Sequence, residues 1–550
     1  MKKKLPISLI SIILISLLFS MSIAAGNPAQ DLQTGIQKKD NGTVKKAVEG
    51  LVSQNDPKAC GTMLDTLNTP LEPSIYWTIL EGLSRFSSSD AISKLTAYIL
   101  SNKGKDIARD LLGTMKNNRS STILPLLGTV LEKGPEDMKI ECLHQLGAIQ
   151  TKEALEVLFN FLTTLDEKND KDLIRELIGS LKRITGVDKG NYPASWLVWW
   201  KENKDKQISD IIKPKTVAGG NIDNVSQYRD MKGVEDLPKE KIIVIRNDIC
   251  DENVKKATRN KFDGNFDHIQ DVLTRLGIEH TVVGKSELEK DSFNCDDKWA
   301  IIFNCSFFKD HCCNPEHMSM PPTGQKGGTE RTQACPGQDN HLNHNSKLSK
   351  KVIEKIRKFV ETGGYLFTED LNIEEIIEPA FKGMITHTKF LPEKTAQILP
   401  GPGATLHPYL KYVFEAPPSN NAPSMPAPED KSGETKSVKP GEFRIDSEWQ
   451  IDDESPDIKI LSKNVTVLIM SPKVVDKSHP EGAVAVTWGV SPSSVVSTGG
   501  EKASYAGGGR VLHVMSHFGK QKSKIDEFAL QNLILNFFIE LNQRKPKGKK

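Results

Sequence analysis

The sequence predicts two parts in one chain, an all-α helical solenoid followed by an α/β doubly wound domain. Three observations carry that reading. Glycines at 82, 113, 147 and 179 recur within similar helical patterns, at spacings of 31, 34 and 32 residues, the signature of stacked helix pairs. Short continuous apolar runs alternate with amphipathic stretches in the second half, as buried parallel strands and their helices do. At 550 residues the chain also exceeds what a single hydrophobic core organises.

In chain order, Lys2, Lys3 and Lys4 precede an apolar run from Ile7 to Phe19, and Ser22-Ile23-Ala24-Ala25 supplies small residues suited to cleavage. This pattern predicts a signal peptide over residues 1–25 and an exported protein of the periplasm or cell envelope, with an uncleaved anchor as the competing reading. No later segment holds eighteen uninterrupted apolar residues, so no transmembrane helix is expected after cleavage. The formal charge is +2; loss of the three lysines takes 73 basic residues to 70 against 71 acidic ones, a formal −1. A balanced chain of this kind excludes a polyanion binder, so no nucleic-acid partner is expected.

Residues 30–205 read as the helical repeat. The related turns are LEGLSRF, LLGTMKN, HQLGAIQ and LIGSLKR, and each helix pair completes its core only against its neighbours. An irregular helical bundle is the competing reading. The stretch closes on ITGVDKGNYPASWLVWWKENKD, whose Trp196, Trp199 and Trp200 share a broad helical side. Such a cluster is either a cap on the last repeat or an aromatic ligand platform, and capping is the simpler role. Residues 206–239 are polar, contain Pro214 and Gly219-Gly220, and read as a linker.

From residue 240 to 545 the pattern changes. KIIVIR (Lys241 to Arg246), His280 to Val283 and WAIIFN (Trp299 to Asn304) read as strands, with a helix from Phe266 to Leu276. In LSKKVIEKIRKFVETGGYLFTED, Val352, Ile353, Ile356, Phe359 and Val360 recur at helical spacing; Gly363-Gly364 stops the helix and Tyr365 to Thr368 forms a strand. Short strands follow at Ile458 to Leu461, Val465 to Met470 and Ala483 to Thr487, then RVLHVM (Arg510 to Met515) and a helix from Asp526 to Leu541. Ligands of parallel α/β sheets gather at the carboxyl ends of strands. That places Cys305, Glu369, Asp370 and His517 as the candidate reactive residues. Competing structural roles are a disulfide or edge position for Cys305 and solvated or helix-capping carboxylates for Glu369 and Asp370. His407-Pro408 reads as packing.

Two insertions interrupt this half. Residues 306–345 hold His311, Cys312, Cys313, His317, Cys335, His341 and His344. Thiolate and imidazole are zinc's ligands, so these seven are the candidate metal residues, while disulfides in an exported loop are the alternative. No cofactor is required by the pattern, and zinc is the ion this loop would take. Residues 416–441 are rich in Pro and Ser and read as a flexible excursion.

Leu143 to Leu162, a helix ending in Leu-Gly, a turn and an Ala/Leu-rich helix, resembles a HEAT-type repeat, and the tryptophan-rich segment resembles a terminator of HEAT-repeat proteins. The strand and helix order from Glu240, the GGYLFTED turn and GGGRVLHVMSHFGKQKSKIDEFALQNLILNFF resemble the class I glutamine amidotransferase-like superfamily, in its uncharacterised bacterial branch, which implies a flavodoxin-like domain. In that superfamily a cysteine on the turn after a central strand attacks the amide. Here that turn holds Thr368, Glu369 and Asp370, and His517 lacks the Pro-Glu that follows the family's histidine. The resemblance therefore implies a degenerate domain without amidotransferase activity. The expected function is a non-catalytic binding or scaffold protein whose repeat surface engages a protein partner. The alternative is a hydrolase or metal-dependent enzyme, acting on carbohydrate by analogy, at the strand ends.

Overall fold

A computed structural model describes residues 27–118, 120–149, 151–206, 211, 234, 236–246, 269–305, 311–312, 343–344, 348–415, 443–451, 455–476, 479–490, 508–521 and 523–544. The predicted signal segment, nearly all of the predicted linker, most of the Cys/His insertion and the whole Pro/Ser excursion lie outside the described residues. No helix among the described residues is long and apolar enough to cross a membrane. The chain forms two compact units, residues 1–104 with 114–213 and residues 105–113 with 214–550.

The first unit is helical. Its helices are α1 (Pro28–Gln37), α2 (Asn41–Gln54), α3 (Pro57–Thr66), α4 (Pro73–Ser84) and α5 (Ser89–Ser101). After α6 (Asp106–Thr114), which falls almost wholly in the second unit, come α7 (Leu124–Lys133), α8 (Glu136–Ala148), α9 (Lys152–Leu162), α10 (Lys171–Thr185) and α11 (Pro193–Asn203). Local chemistry sets the starts: Asp40 and Asp56 accept backbone N–H groups as N-caps of α2 and α3, and Pro57 and Pro73 stand in first helical turns. Each helix lays its apolar stripe on the helix two along, α2 on α4, α3 on α5, α5 on α7, α7 on α9 and α8 on α10. Polar groups 32 to 37 residues apart in the chain tie neighbouring helices together. Asn55 Oδ1 accepts from Ser87 N at 2.9 Å, Asn118 Nδ2 donates to Phe86 O at 2.8 Å, and Ser180 Oγ donates to Leu143 O at 2.7 Å.

The tryptophan cluster ends this stack. Trp196 is fully buried and Trp199 nearly so, while Trp200 stacks on Phe159 with centroids 4.6 Å apart. Trp196 Nε1 donates to Gly190 O at 3.0 Å, so its one polar group is satisfied inside the cap.

The second unit is built on an eight-stranded sheet. Its strands are β1 (Ile242–Arg246), β2 (Thr281–Gly284), β3 (Ala300–Phe303), β6 (Tyr365–Glu369), β9 (Leu399–Pro400), β12 (Thr466–Met470), β13 (Ala483–Val490) and β14 (Gly509–Val514), in the order β2-β1-β3-β6-β14-β13-β12-β9. Two-residue or three-residue strands pair outside it: β4 (His311–Cys312) with β5 (Asn343–His344), β7 (Ile385–Thr386) with β11 (Lys459–Ile460), and β8 (Thr395–Gln397) with β10 (Glu448–Gln450). The helices are α12 (Ile269–Arg275), α13 (Lys350–Glu361) and α14 (Lys524–Arg544).

Strands β2, β1, β3, β6 and β14 run parallel, whereas β13, β12 and β9 continue antiparallel. The sheet is thus mixed. β14 enters between β6 and β13, and Arg510 to Val514 register with Tyr365 to Glu369. Helix α13 ends where expected. Gly363 takes φ +110°, a conformation that only glycine adopts without strain, and this turn feeds β6. Helix α14 is buried almost all round; its Asn536 Nδ2 donates to Tyr409 O and Lys411 O, both at 2.8 Å, so a polar residue sits in the core with its donors used.

Candidate functional site

Three neighbouring parallel strands, β3, β6 and β14, end side by side, and each delivers one chemically distinct group. After β3 the chain passes Asn304 to Cys305. Asn304 is held on every side: its N donates to Ile245 O at 3.1 Å, its Oδ1 accepts from Ile269 N at 2.8 Å, and its Nδ2 donates to Gln270 Oε1 at 2.9 Å. Cys305 follows directly, fully buried.

After β6 comes Asp370. Its N donates to Val514 O at 2.9 Å, extending the β6–β14 ladder, and its backbone then turns into the left-handed region at φ +40°. For a non-glycine residue this costs about 1–3 kcal/mol, and such strain gathers at functional positions. The chain continues through Asn372, whose Nδ2 donates to Asn304 O at 3.3 Å, into a π-helical turn at Ile373–Ile377. After β14, His517 lies in a turn pinned from two directions. Gln521 Nε2 donates to His517 O at 2.8 Å, and Ser516 Oγ donates to Gln450 O at 2.7 Å.

These turns bring Cys305, Asp370 and His517 together. Asp370 Oδ2 lies 3.7 Å from Cys305 Sγ and 3.4 Å from His517 Nε2. One ligand-type atom from each residue lies within 4.8 Å of the others. All three side chains are nearly inaccessible, at 0%, 4% and 0% exposure for Cys305, Asp370 and His517. Glu369 is buried beside them but outside the cluster. The expectation of solvated carboxylates is thereby corrected: Glu369 is the last, inward residue of a fully buried strand, and Asp370 is roofed by the turns after β3 and β14. The disulfide reading of Cys305 is corrected too, since Cys60, Cys142, Cys295 and Cys305 are thiols rather than half-cystines.

The Asp370 carboxylate contacts both partners, and the sulfur and an imidazole nitrogen lie within 4.8 Å of each other as well. The cluster directs three donors of different softness at one point. The other described cysteines are inert: burial pushes the Cys60 thiol up to about 12 and Cys295 up to about 11, and raises Cys142 well above its ordinary value.

Of the seven predicted metal residues, Cys313, His317, Cys335 and His341 lie outside the described residues. For His311, Cys312 and His344 the backbone alone is described, and it pairs His311 with His344 across β4 and β5.

Two further histidines lie in or beside the sheet, His513 buried within β14 and His407 half-buried. His513 Nδ1 lies 2.9 Å from Thr368 Oγ1, and His407 Nδ1 accepts from Tyr409 N at 3.1 Å as the cap of a short 3₁₀ turn. Desolvation lowers both to about 3, aided at His407 by Arg510, so both are neutral imidazoles and His407 packs as expected. Sequence reasoning missed a separate polar network in which His479 lies 2.8 Å from Asp457, 3.1 Å from Asp476 and 3.0 Å from Thr388. Three sequence-distant segments meet there, and nothing local signals the meeting.

No family model and no curated protein matches this chain.

Proposed function

We propose that this chain is an exported binding protein: a HEAT-like repeat presents a surface to a protein partner, and an amidotransferase-like domain accompanies it without a nucleophilic thiol. The observation that carries this reading is Asp370. It occupies the strained turn after β6 where an amidotransferase would hold its cysteine, and the nearby thiol among the described residues, Cys305, lies 3.7 Å from its carboxylate. A thiol so sealed from solvent does not reach a substrate.

The partner surface is the groove of about 550 Å³ between α5 and α7, lined by Ser93, Thr96, Ala97, Leu100, Pro125 and Thr129. These side chains are hydroxylic, small or aliphatic and carry no charge. The segment that fits is correspondingly uncharged, since burying an unpaired charge there is costly. Ala97→Arg and Thr129→Arg put a charge into the groove. The tagged full chain is expected to retain its envelope partner, and each variant to lose it by ten-fold or more in affinity, about 1.4 kcal/mol, with unchanged circular dichroism. A partner held equally by both variants refutes the groove, and failure to capture any partner refutes the binding reading.

The second reading, a metal-dependent hydrolase acting on a carbohydrate-related substrate, is favoured by the convergence of Cys305, Asp370 and His517. It requires turnover of a glycoside, ester or amide panel by the purified chain, abolished in Asp370→Asn.

A further inference from the structure

The geometry points to a zinc-class metal site formed by Cys305 Sγ, Asp370 Oδ2 and His517 Nε2 at the ends of β3, β6 and β14. A tetrahedral zinc ion takes sulfur at about 2.3 Å and imidazole nitrogen or carboxylate oxygen at about 2.0 Å, which places bound S and O about 3.5 Å apart and bound N and O about 3.3 Å apart. The corresponding separations are 3.7 Å and 3.4 Å, within tenths of an ångström of those values, and sulfur and nitrogen lie within 4.8 Å of each other.

The burial argues the same way. Asp370 Oδ1, in a side chain 4% exposed, has no hydrogen-bond partner, a costly state for a buried carboxylate oxygen. A divalent cation satisfies all three groups at once, because it binds thiolate, carboxylate and neutral imidazole together. The mixture of S, N and O donors selects a borderline ion such as zinc over magnesium or calcium, which take oxygen. Three protein ligands leave one tetrahedral position for water. The backbone around each ligand is held in place: Asp370 N donates to Val514 O, His517 O accepts from Gln521 Nε2, and Asn304, the residue before Cys305, accepts from Ile269 N and donates to Gln270 Oε1.

This site is distinct from the Cys/His-rich insertion, and it stands whether or not the repeat groove binds a partner. The test uses the full chain purified without chelators. Elemental analysis is expected to find about one zinc per chain, and X-ray absorption at the zinc edge one sulfur scatterer with the remaining ligands nitrogen or oxygen. After chelation, zinc titration of Cys305→Ser, Asp370→Asn and His517→Gln is expected to show affinity reduced 10-fold to 100-fold. Retention of zinc at full affinity by Cys305→Ser and His517→Gln, or an absorption spectrum with three or four sulfurs, assigns the ion elsewhere and overturns the site. Absence of zinc from the native chain, together with no uptake by the chelated one, overturns it equally. The absorption spectrum needs only the unaltered protein, so the test survives variants that misfold.

Discussion

Gly82 lies in α4 where that helix crosses α2 and α3, and replacing it with alanine sets two effects of opposite sign against each other. Removing a glycine from a helix interior stabilises by about 0.5–1 kcal/mol. The added Cβ, however, meets Val48 Cγ1 far inside contact distance and Met63 Cε at 2.8 Å. Met63 is flexible and yields cheaply; Val48 is β-branched, fixed in its helical rotamer and buried, so it cannot. Overpacking of this kind costs about 1–3 kcal/mol, so the net effect is destabilisation by about 1 kcal/mol. Gly128 in α7 is the control, because its added Cβ finds only Val157 Cγ1, at 3.8 Å, and Gly128→Ala gains the helix term alone. Urea unfolding read by pulsed hydrogen exchange on peptides of α2 to α4 isolates the transition of the helical unit. With a slope of about 2 kcal/mol/M, Gly82→Ala lowers the midpoint by about 0.5 M, and the same reading on α7 peptides finds Gly128→Ala raising it. Adding Val48→Ala to Gly82→Ala removes the clash, and the double-variant cycle reports a favourable coupling. A Gly82→Ala midpoint at or above that of the unaltered protein refutes the close-packed crossing.

Two shorter predictions follow. His407 has its folded pKa depressed to about 3 from an ordinary 6.5, so between those values the unfolded chain binds a proton that the folded one refuses. Stability present above pH 6.5 is therefore lost as pH falls, by about 1.4 kcal/mol at pH 5.5; His407→Asn keeps the capping acceptor, and flattening of the acid limb of a pH-dependent denaturation series checks it. Trp196→Ala empties the buried aromatic cluster at the end of the helical unit at a cost of about 3–5 kcal/mol, and the expected readout is accelerated amide exchange in α10 and α11 with α2 and α3 unchanged.

What the sequence revealed was what local chemistry decides. The runs IIVIR, AIIF, YLFTE and GRVLHV appear as strands within one or two residues of expectation, because strands buried on both faces carry short, mostly apolar runs. Gly363 marked a helix end because φ +110° admits no other residue. The cap of Trp196, Trp199 and Trp200 was legible from spacing. Sheet order was not, since nothing in RVLHVM states that β14 inserts between β6 and an antiparallel arm. That order decides the site. Cys305, Asp370 and His517 were each named from strand-end position, yet Cys305 lies 65 residues before Asp370, and only the β3-β6-β14 adjacency makes them neighbours.

Burial follows from the same adjacency. Two consecutive carboxylates after a strand belong in solvent when the strand stands at an edge. β6 is instead an inner strand with partners on both sides, and the turns leaving those partners cover Glu369 and Asp370. A sheet whose buried positions are mostly apolar has cheaper ways to end three strands than a thiol, an acid and an imidazole. Asp370 adds a left-handed backbone to that cost. Packing alone gives no compensation for either term, since an apolar residue in an ordinary conformation packs as well; an ion that takes all three donors compensates both.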